Sequence, residues 1–173
     1  SGTVAENIPT RITRASDAEG FFGKGSQVAQ MAASWLRVNE RTKLYVMGID
    51  DPAGTEASGT VTFTASSPAA GVVNVYVGGK RYQVPVSSTS TATILGAALA
   101  GLINSDTDAY VTAINVAGVV TLTARHPGPE GNDIDIRHSY LDGQSLPAGV
   151  GCAIVAMSGG ATSVDLSTAI AAL

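Results

Sequence analysis

Val72-Val73-Asn74-Val75-Tyr76-Val77-Gly78-Gly79-Lys80-Arg81-Tyr82-Gln83-Val84-Pro85-Val86 is the stretch that decides the fold. Two runs rich in β-branched residues, Val72 to Val77 and Lys80 to Val86, flank Gly78-Gly79. Adjacent glycines can both take positive φ, which is what a two-residue β-hairpin needs. The reading is therefore an antiparallel hairpin, and its neighbours extend the pattern.

Upstream, Thr60 to Ala65 alternates, with Val61, Phe63 and Ala65 on one side. Downstream the period changes. Ile94, Leu95, Ala98, Leu99, Leu102 and Ile103 recur at helical spacing between Thr91 and Asn104, with Ser90 or Thr91 as cap. Tyr110 to Val116 and Val119 to Ala124 predict a second hairpin around Gly118. Asp133 to Ser139, with Ile134 and Ile136 inward, and Val150 to Met157 complete the set. About seven strands and one helix in ~100 residues, dominated by hairpins, give an α+β module whose helix covers a sheet face.

The chain ends read differently. Val4 to Arg14 looks extended, with Pro9 inside it, as in an edge strand or loop. Gly20 to Gly25 is a glycine-rich turn, and Ser26 caps a helix running to about Asn39 with Val28, Met31, Ala32, Trp35 and Leu36 on one face. Lys43 to Ile49 is a short apolar strand, and Asp50-Asp51-Pro52-Ala53-Gly54 breaks the pattern. Gly159-Gly160 marks a second boundary, after which Ser163 caps a helix with Leu166, Ile170 and Leu173 on its apolar face. Neither end buries enough alone, since units below ~40 residues rarely stand without help. The expectation is a partial platform domain, residues 1–52 with 158–173, carrying residues 53–157 as a β-rich inserted domain.

Composition limits the function. Of 173 residues, 45% are hydrophobic and 14% charged, against about 25% charged in an average domain. That composition buries a core and argues against disorder. Ten basic residues are scattered and the net charge is −4, so the dense Lys/Arg face of a nucleic-acid binder is missing. No apolar run reaches the ~18 residues of a membrane span. Cys152 is the only cysteine, which excludes an intrachain disulfide and a Cys-based metal site. No signal-peptide pattern is present. Ser1-Gly2 reads as an expression scar, and Ala171-Ala172-Leu173 lacks a Gly or Asn stop, so the chain reads as a fragment of a longer protein.

Each candidate for chemistry has a plainer reading. Phe22-Gly23-Lys24-Gly25-Ser26 precedes a helix, whose free amides can hold an anion. The phosphate-loop pattern, however, needs Gly where Ala18 stands and Ser or Thr where Gly25 stands, and Val28 occupies the third glycine of the dinucleotide pattern. A turn leading into a helix is the better reading. Asn132, Asp133 and Asp135 offer oxygens for a hard cation, but Ca²⁺ takes ~6–8, so a polar strand face is favoured. His126 and His138 have no nucleophile elbow or triad pattern to serve. His126 sits in a His-Pro-Gly-Pro loop, and His138 is read as a surface or interface residue. Cys152 is read as a small core residue, and Lys80, Arg81 and Arg125 as solvated charges. Tyr45, Tyr76, Tyr82, Tyr110 and Tyr140 are spread out, and packing against sheet faces is favoured over a ligand groove. The expectation is no enzyme and no catalytic, cofactor-binding or metal residues.

The order of the pieces carries a resemblance. Ile12-Thr13-Arg14 is followed by Ser16-Asp17-Ala18, then Phe22 to Met31, Gly59-Thr60-Val61-Thr62-Phe63-Thr64 and Val75 to Tyr82. Gly128-Pro129-Glu130-Gly131-Asn132-Asp133-Ile134-Asp135-Ile136-Arg137, Leu146-Pro147-Ala148-Gly149-Val150 and Gly159-Gly160 follow. Together they resemble the contractile tail sheath protein of Mu-like bacteriophages and prophages, over nearly the whole chain. The resemblance implies a structural virion subunit without cofactors. It would polymerise around the tail tube, contract when the baseplate triggers, and drive the tube through the host envelope for DNA ejection. It implies neighbouring sheath subunits, the tail tube protein and the baseplate as partners, no direct nucleic acid, no membrane, and a host-cytoplasmic stage during assembly. It also implies that the family's long C-terminal portion has no counterpart after Leu173, so that this fragment alone is monomeric. The competing reading is a surface-exposed β-domain that binds carbohydrate or another host-surface ligand through Thr/Gly-rich hairpins and outward Tyr residues.

Overall fold

A computed structural model of the chain describes residues 2–39, 41–49 and 53–171. Helices are mixed with wholly antiparallel sheets, without a closed barrel, which is the α+β class read from the sequence. The chain divides into two compact units, Ser1–Pro52 with Val164–Leu173, and Ala53–Ser163.

In the first unit β1 (Thr10–Ile12) pairs antiparallel with β2 (Leu44–Val46), and α1 (Ala15–Phe22) and α2 (Gln27–Leu36) lie between them in sequence. Helix α1 is absent from the sequence reading, which put a glycine-rich turn at Gly20 and an extended chain from Val4 to Arg14. Its cause is Asp17. The Asp17 carboxylate accepts hydrogen bonds from the backbone N–H of Thr13 (3.2 Å) and Arg14 (3.0 Å) and from the Thr13 hydroxyl (2.7 Å). These bonds turn the chain into a helix that runs through Gly20. The Thr13 hydroxyl, followed by the backbone donors, holds the Asp17 carboxyl below its ordinary pKa.

Helix α2 starts as expected, with the Ser26 hydroxyl accepting from the Ala29 N–H at 3.2 Å. Its buried stripe is Ala29 and Ala32, packed with Ile12 and Ala18 and edged by Phe21, Phe22, Leu36, Leu44 and Val46. Met31, expected inward, is 71% exposed, because the helix turns its small residues rather than its long ones to the thin sheet. The helix stops at Leu36 rather than near Asn39, and the Lys43 to Ile49 strand shrinks to Leu44–Val46. The last helix, α4 (Ser167–Ala171), is anchored by Asp165, whose carboxylate accepts from the Ser167 N–H at 2.9 Å; Ser163 is not its cap. Ala169 is its buried residue, while Leu166 and Ile170 are exposed. The Asp50-Asp51-Pro52 break and Leu173 lie outside the described residues.

The second unit has two antiparallel sheets. One has the order β6-β7-β3-β9 and the other β5-β4-β8. Their strands are β3 (Ser58–Ala65), β4 (Gly71–Val77), β5 (Lys80–Val86), β6 (Val111–Val116), β7 (Val119–Ala124), β8 (Ile136–His138) and β9 (Val150–Ser158). The hairpin that decided the fold closes as read. Gly78 (φ 56°) and Gly79 (φ 79°) sit in the left-handed region, and Val77 pairs with Lys80. Ala117 (φ 52°) and Gly118 (φ 90°) do the same between Val116 and Val119.

Helix α3 (Ala92–Ser105) packs on both sheets, with the Thr91 hydroxyl accepting from Ile94 at its start. Leu95, Leu99 and Ile103 are fully buried against Val61, Val73, Val75, Val84, Val111, Val120 and Leu122 in one core. Ile94 and Leu102, expected on that face, are 53% and 38% exposed. Gly96 and Ala100 take the inner positions instead, so the helix lies close to the strands. Asn104 extends the helix into the sheet. Its side-chain amide donates to the Ala113 carbonyl (2.8 Å) and accepts from the Ala113 N–H (2.9 Å), which plugs the open edge of β6 as a neighbouring strand would.

Asp133 to Ser139 does not form the expected strand. Gly128 (φ 129°) and Pro129 open a 3-10 turn, Pro129–Asp133, and only Ile136–His138 pairs with β4. Gly131 is buried in that turn, where a methyl would press on the Cβ atoms of Ala57 (2.9 Å) and Ala124 (3.0 Å). The module closes where it begins. Thr55 and Ala161 exchange both backbone hydrogen bonds (3.2 and 3.1 Å), and the Asn132 side chain bonds both backbone groups of Gly160 (2.9 and 2.8 Å). Beside this neck Thr162 holds φ 74°, a strained conformation for a β-branched residue.

Candidate functional site

The residues singled out for chemistry are dispersed, and most are engaged in holding the chain. The Gly23-Lys24-Gly25-Ser26 turn is closed on itself. The Ser26 hydroxyl donates to the Gly23 carbonyl (2.9 Å), and the Gln30 amide donates to the Gly25 carbonyl (3.3 Å). With the Ala29 N–H already bonded to Ser26, this helix start serves its own fold. Asn132 holds Gly160, while Asp135 pairs with Arg137 at 2.7 Å, so two of the three oxygen donors of that segment serve separate tasks. No group of three or more His, Cys, Asp or Glu placed to hold a metal occurs among the described residues.

Cys152 is half-buried in β9 against the core, and burial pushes its thiol up to about 11. It stays a thiol at neutral pH, which is a poor state for nucleophilic attack. His138 ends β8 opposite Val75 in the ladder, and its Nδ1 is buried without a hydrogen-bond partner, as is the neighbouring Ser139 hydroxyl. His126 lies in the loop after β7. Tyr76 is buried and meets Tyr140 edge-on at 5.9 Å, and Arg137 lies over the Tyr140 ring at 4.8 Å. Tyr45 in β2, Tyr110 just before β6 and Tyr140 in the loop after β8 are exposed at separate places in the chain.

A polar hub escaped the sequence reading. Asp106, just after α3, accepts from Lys80 (2.6 Å), the Tyr82 hydroxyl (2.9 Å) and the Asp108 N–H (3.0 Å). Arg125 donates to the Asp106 carbonyl (3.2 Å) and the Thr107 carbonyl (3.4 Å). Lys80 and Arg125 are thus structural, not merely solvated. Burial pushes the Asp106 carboxyl up, but the bonds from Lys80 and Tyr82 outweigh it and leave it below its ordinary value. Burial first, then the Asp106 bond and charge, raise the Tyr82 phenol far above its ordinary range. The signal was in the hairpin register: Lys80 shares a strand face with Tyr82, Val84 and Val86, which is the core face. The hub fastens the end of α3 to β5. It holds neither an activated nucleophile nor an unpaired acid.

What remains is surface. Strands β3, β6, β7 and β9 contain no Asp, Glu, Lys or Arg, and neither does α3. The sheet face turned away from α3 has Ile114, Thr121, Thr60 and Val155 in register as one cross-strand row. Val116, Val119, Thr62 and Ala153 make the next row. Ile114 and Val116 are each 68% exposed and Val155 is 62% exposed. An uncharged, β-branched face of this kind is suited to packing and offers nothing for catalysis.

No family model matches the chain. Along its whole length the chain is similar to the Mu-like prophage FluMu tail sheath protein of Haemophilus influenzae (strain ATCC 51907 / DSM 11121 / KW20 / Rd). The two are 33% identical over 174 residues, which is 100% of this chain and 36% of the relative. The chain therefore spans about a third of that relative's length. This similarity bears out the tail-sheath resemblance carried by the ordered motifs of the sequence.

Proposed function

We propose that this chain is part of a structural subunit of a contractile bacteriophage tail sheath. In that reading the full subunit polymerises around the tail tube, and contraction on baseplate triggering drives the tube through the host envelope. Similarity to a tail sheath protein over the whole of this chain carries the reading. The structure supports it in a second way. Its polar clusters are spent on fastening elements, and its distinctive surfaces are uncharged faces suited to subunit contacts. The partners are neighbouring sheath subunits, the tail tube protein and the baseplate, and the location is the virion tail after assembly in the host cytoplasm.

The domain arrangement follows the same logic. Residues 53–157 form a β-rich domain inserted in a platform built from 1–52 and 158–173, and the paired Thr55 and Ala161 are the seam of the insertion. The test is electron microscopy of the full-length protein expressed with its tail tube protein. Hollow tubes that exist in a long and a short, wider form are expected, together with gold labelling along the tail by antibodies against residues 53–157. A full-length protein that stays monomeric beside assembled tail tubes would overturn the reading. Residues 1–173 alone are expected to remain monomeric and to form no tubes.

A further inference from the structure

Residues 139–149 join β8 to β9 and fold back over the outer face of the β5-β4-β8 sheet as a strap. Tyr76 lies on that face, yet it is 8% exposed, because Tyr140 and Gln144 cover it. Both ends of the strap are tied by backbone bonds. The Ser139 N–H donates to the Asn74 carbonyl (2.9 Å), and the Ala148 and Gly149 carbonyls accept from Ala69 (2.9 Å) and Ser66 (2.8 Å). The middle reaches the sheet through side chains, where the Gln144 amide and the Tyr76 hydroxyl bond each other. A turn aims that amide: the Gln144 N–H donates to the Leu141 carbonyl (3.1 Å), and the Leu141 N–H donates to the Gln144 Oε1 (3.3 Å). The two residues inside the turn are Asp142 and Gly143, and the positive φ of its third position is what glycine supplies.

Asp142-Gly143 is the only Asp-Gly or Asn-Gly pair in the sequence. Both residues are exposed, and the space where a Cβ on Gly143 would lie is open. The Gly143 N–H donates to Asp142 Oδ1 at 3.1 Å, which sets the amide nitrogen beside the carboxyl carbon of the preceding residue. Among the described residues no other Asp accepts from the next amide along the chain. Asp106 and Asp165 accept from the residue two along, and Asp17 from residues before it. Every other Asp is followed by a residue whose side chain crowds that nitrogen. A peptide nitrogen is a weak nucleophile, so its placement decides which Asp reacts.

We infer that Asp142-Gly143 is a site of spontaneous backbone rearrangement, at which Asp142 becomes isoaspartate and the strap lets go of the sheet. The Gly143 nitrogen gives its proton to water and attacks Cγ of the protonated Asp142 carboxyl. The N–Cγ bond forms, a Cγ–O bond breaks, and water leaves, closing a cyclic imide. Water then adds to either imide carbonyl. Cleavage at Cγ restores Asp142. Cleavage between the main-chain carbonyl carbon of Asp142 and the Gly143 nitrogen leaves the chain running through the side chain, with a new free carboxylate. Nothing is oxidised or reduced, and the net charge is unchanged. The main chain is longer by one methylene, so the turn no longer holds Gln144 where it meets Tyr76. The Tyr76 hydroxyl then loses its partner under the strap, which favours opening to water. The rearrangement needs only this chain and water, so it stands apart from the sheath reading.

Ageing the purified chain in mildly acidic buffer tests it. Isoaspartate is located by peptide mass spectrometry and counted with an isoaspartyl carboxyl methyltransferase and labelled S-adenosylmethionine. The chain is expected to pass through a species lighter by one water and to accumulate isoaspartate at Asp142 and at no other Asp. In water labelled with heavy oxygen, the rearranged residue should carry one labelled oxygen. Asp142→Glu keeps the charge but needs a larger ring, and is expected to give no isoaspartate. Isoaspartate spread evenly over the Asp residues, none at Asp142, or an undiminished count in Asp142→Glu would each overturn the site. Hydrogen exchange reads the strap. In the aged chain amides 140–145 should exchange faster while β3, β7 and α3 stay protected. Tyr76→Phe, which removes the hydroxyl and leaves Asp142 intact, should give the same local increase without ageing. Unchanged exchange at 140–145 after conversion, or faster exchange throughout the module, would sink the release of the strap.

Discussion

The two sheets of the second unit share one core and one helix, yet their outer faces have opposite characters. On the β5-β4-β8 sheet, Arg81, Tyr76 and Arg137 form a cross-strand row, followed by Gln83 and Asn74, whose amides meet at 3.3 Å. The Tyr76 hydroxyl and the Gln144 amide bond each other, and Tyr140 and Arg137 close over the face. The β6-β7-β3-β9 sheet presents Thr, Val, Ile and Ala in its two central rows, without a charged residue. Mutual bonding explains the first face: Asn74 and Tyr76 are buried but bonded to Gln83 and Gln144, and Arg81 and Arg137 keep its surface charged. Neither solvation nor folding explains the second. A surface that the fold does not require and water does not favour is where association is to be sought.

The comparison breaks most readily in the shared core. Leu99→Ala empties a fully buried position facing both sheets and should cost about 2–5 kcal/mol. Urea unfolding followed by amide NMR at residues of both sheets should show one transition common to them, shifted as a whole. Two separated transitions would mean that the sheets are independent and that the contrast between them concerns two bodies.

The next effect isolates the helix on the charge-free sheet. A methyl at Gly96 would collide with the Asn115 side chain, which bonds Thr93 and Gly118. Gly96→Ala should therefore cost about 1–3 kcal/mol, as overpacking does. Gly101→Ala, five residues along the same helix and facing open space, should instead gain about 0.5–1 kcal/mol. Equal effects of the two in thermal melts would contradict the close seating of α3.

The polar sheet answers to pH. Asp106 has a depressed native pKa, so it contributes stability above its unfolded value of about 3.9, and the contribution is lost as pH falls through the native value. Tyr82 is raised, so its contribution is whole below about pH 10 and is lost above it as pH climbs toward the native value. Asp106→Asn should cost about 1 kcal/mol or less at neutral pH, and the difference from the parent should shrink below pH 4. A difference that persists unchanged at pH 2 would show that the hub acts through shape and not charge. The smallest effect belongs to the bare face: Thr121→Lys should change stability by no more than about 0.5 kcal/mol. A larger loss in denaturant titrations would show that the face serves the fold after all.

The sequence made the hairpins legible because glycine pairs and alternation are local signals. Gly78-Gly79 and Gly118 closed their turns as read, and Ser26 and Thr91 capped their helices. Helix α1 was hidden because its start depends on three hydrogen bonds to one carboxylate, and Gly20 inside it resembles a breaker. Met31, Ile94 and Leu102 were misplaced because apolar periodicity cannot tell which side of a helix its small residues will press against a sheet. The 3-10 turn at Pro129–Asp133 depends on Asn132 reaching Gly160, a pairing across 28 residues. The Asp106 hub is long-range in the same way, although the core-side parity of Lys80 was visible. The bare sheet face could not be read beforehand, since the strand order that places Ile114, Thr121, Thr60 and Val155 in one row is a tertiary fact.

The neck at Thr55 and Ala161 bears on mechanics. The chain enters and leaves the module through one hydrogen-bonded pair, whose Cα atoms in an antiparallel ladder are ~5.5 Å apart. Tension carried along the backbone into and out of the module can cross at that pair without passing through the ~100 residues between. The module is a side loop off the load path, and stretching the chain strains the neck before it strains the core. If the pair gives way, its bonds open one after another like a zipper, at low force, and they can close again.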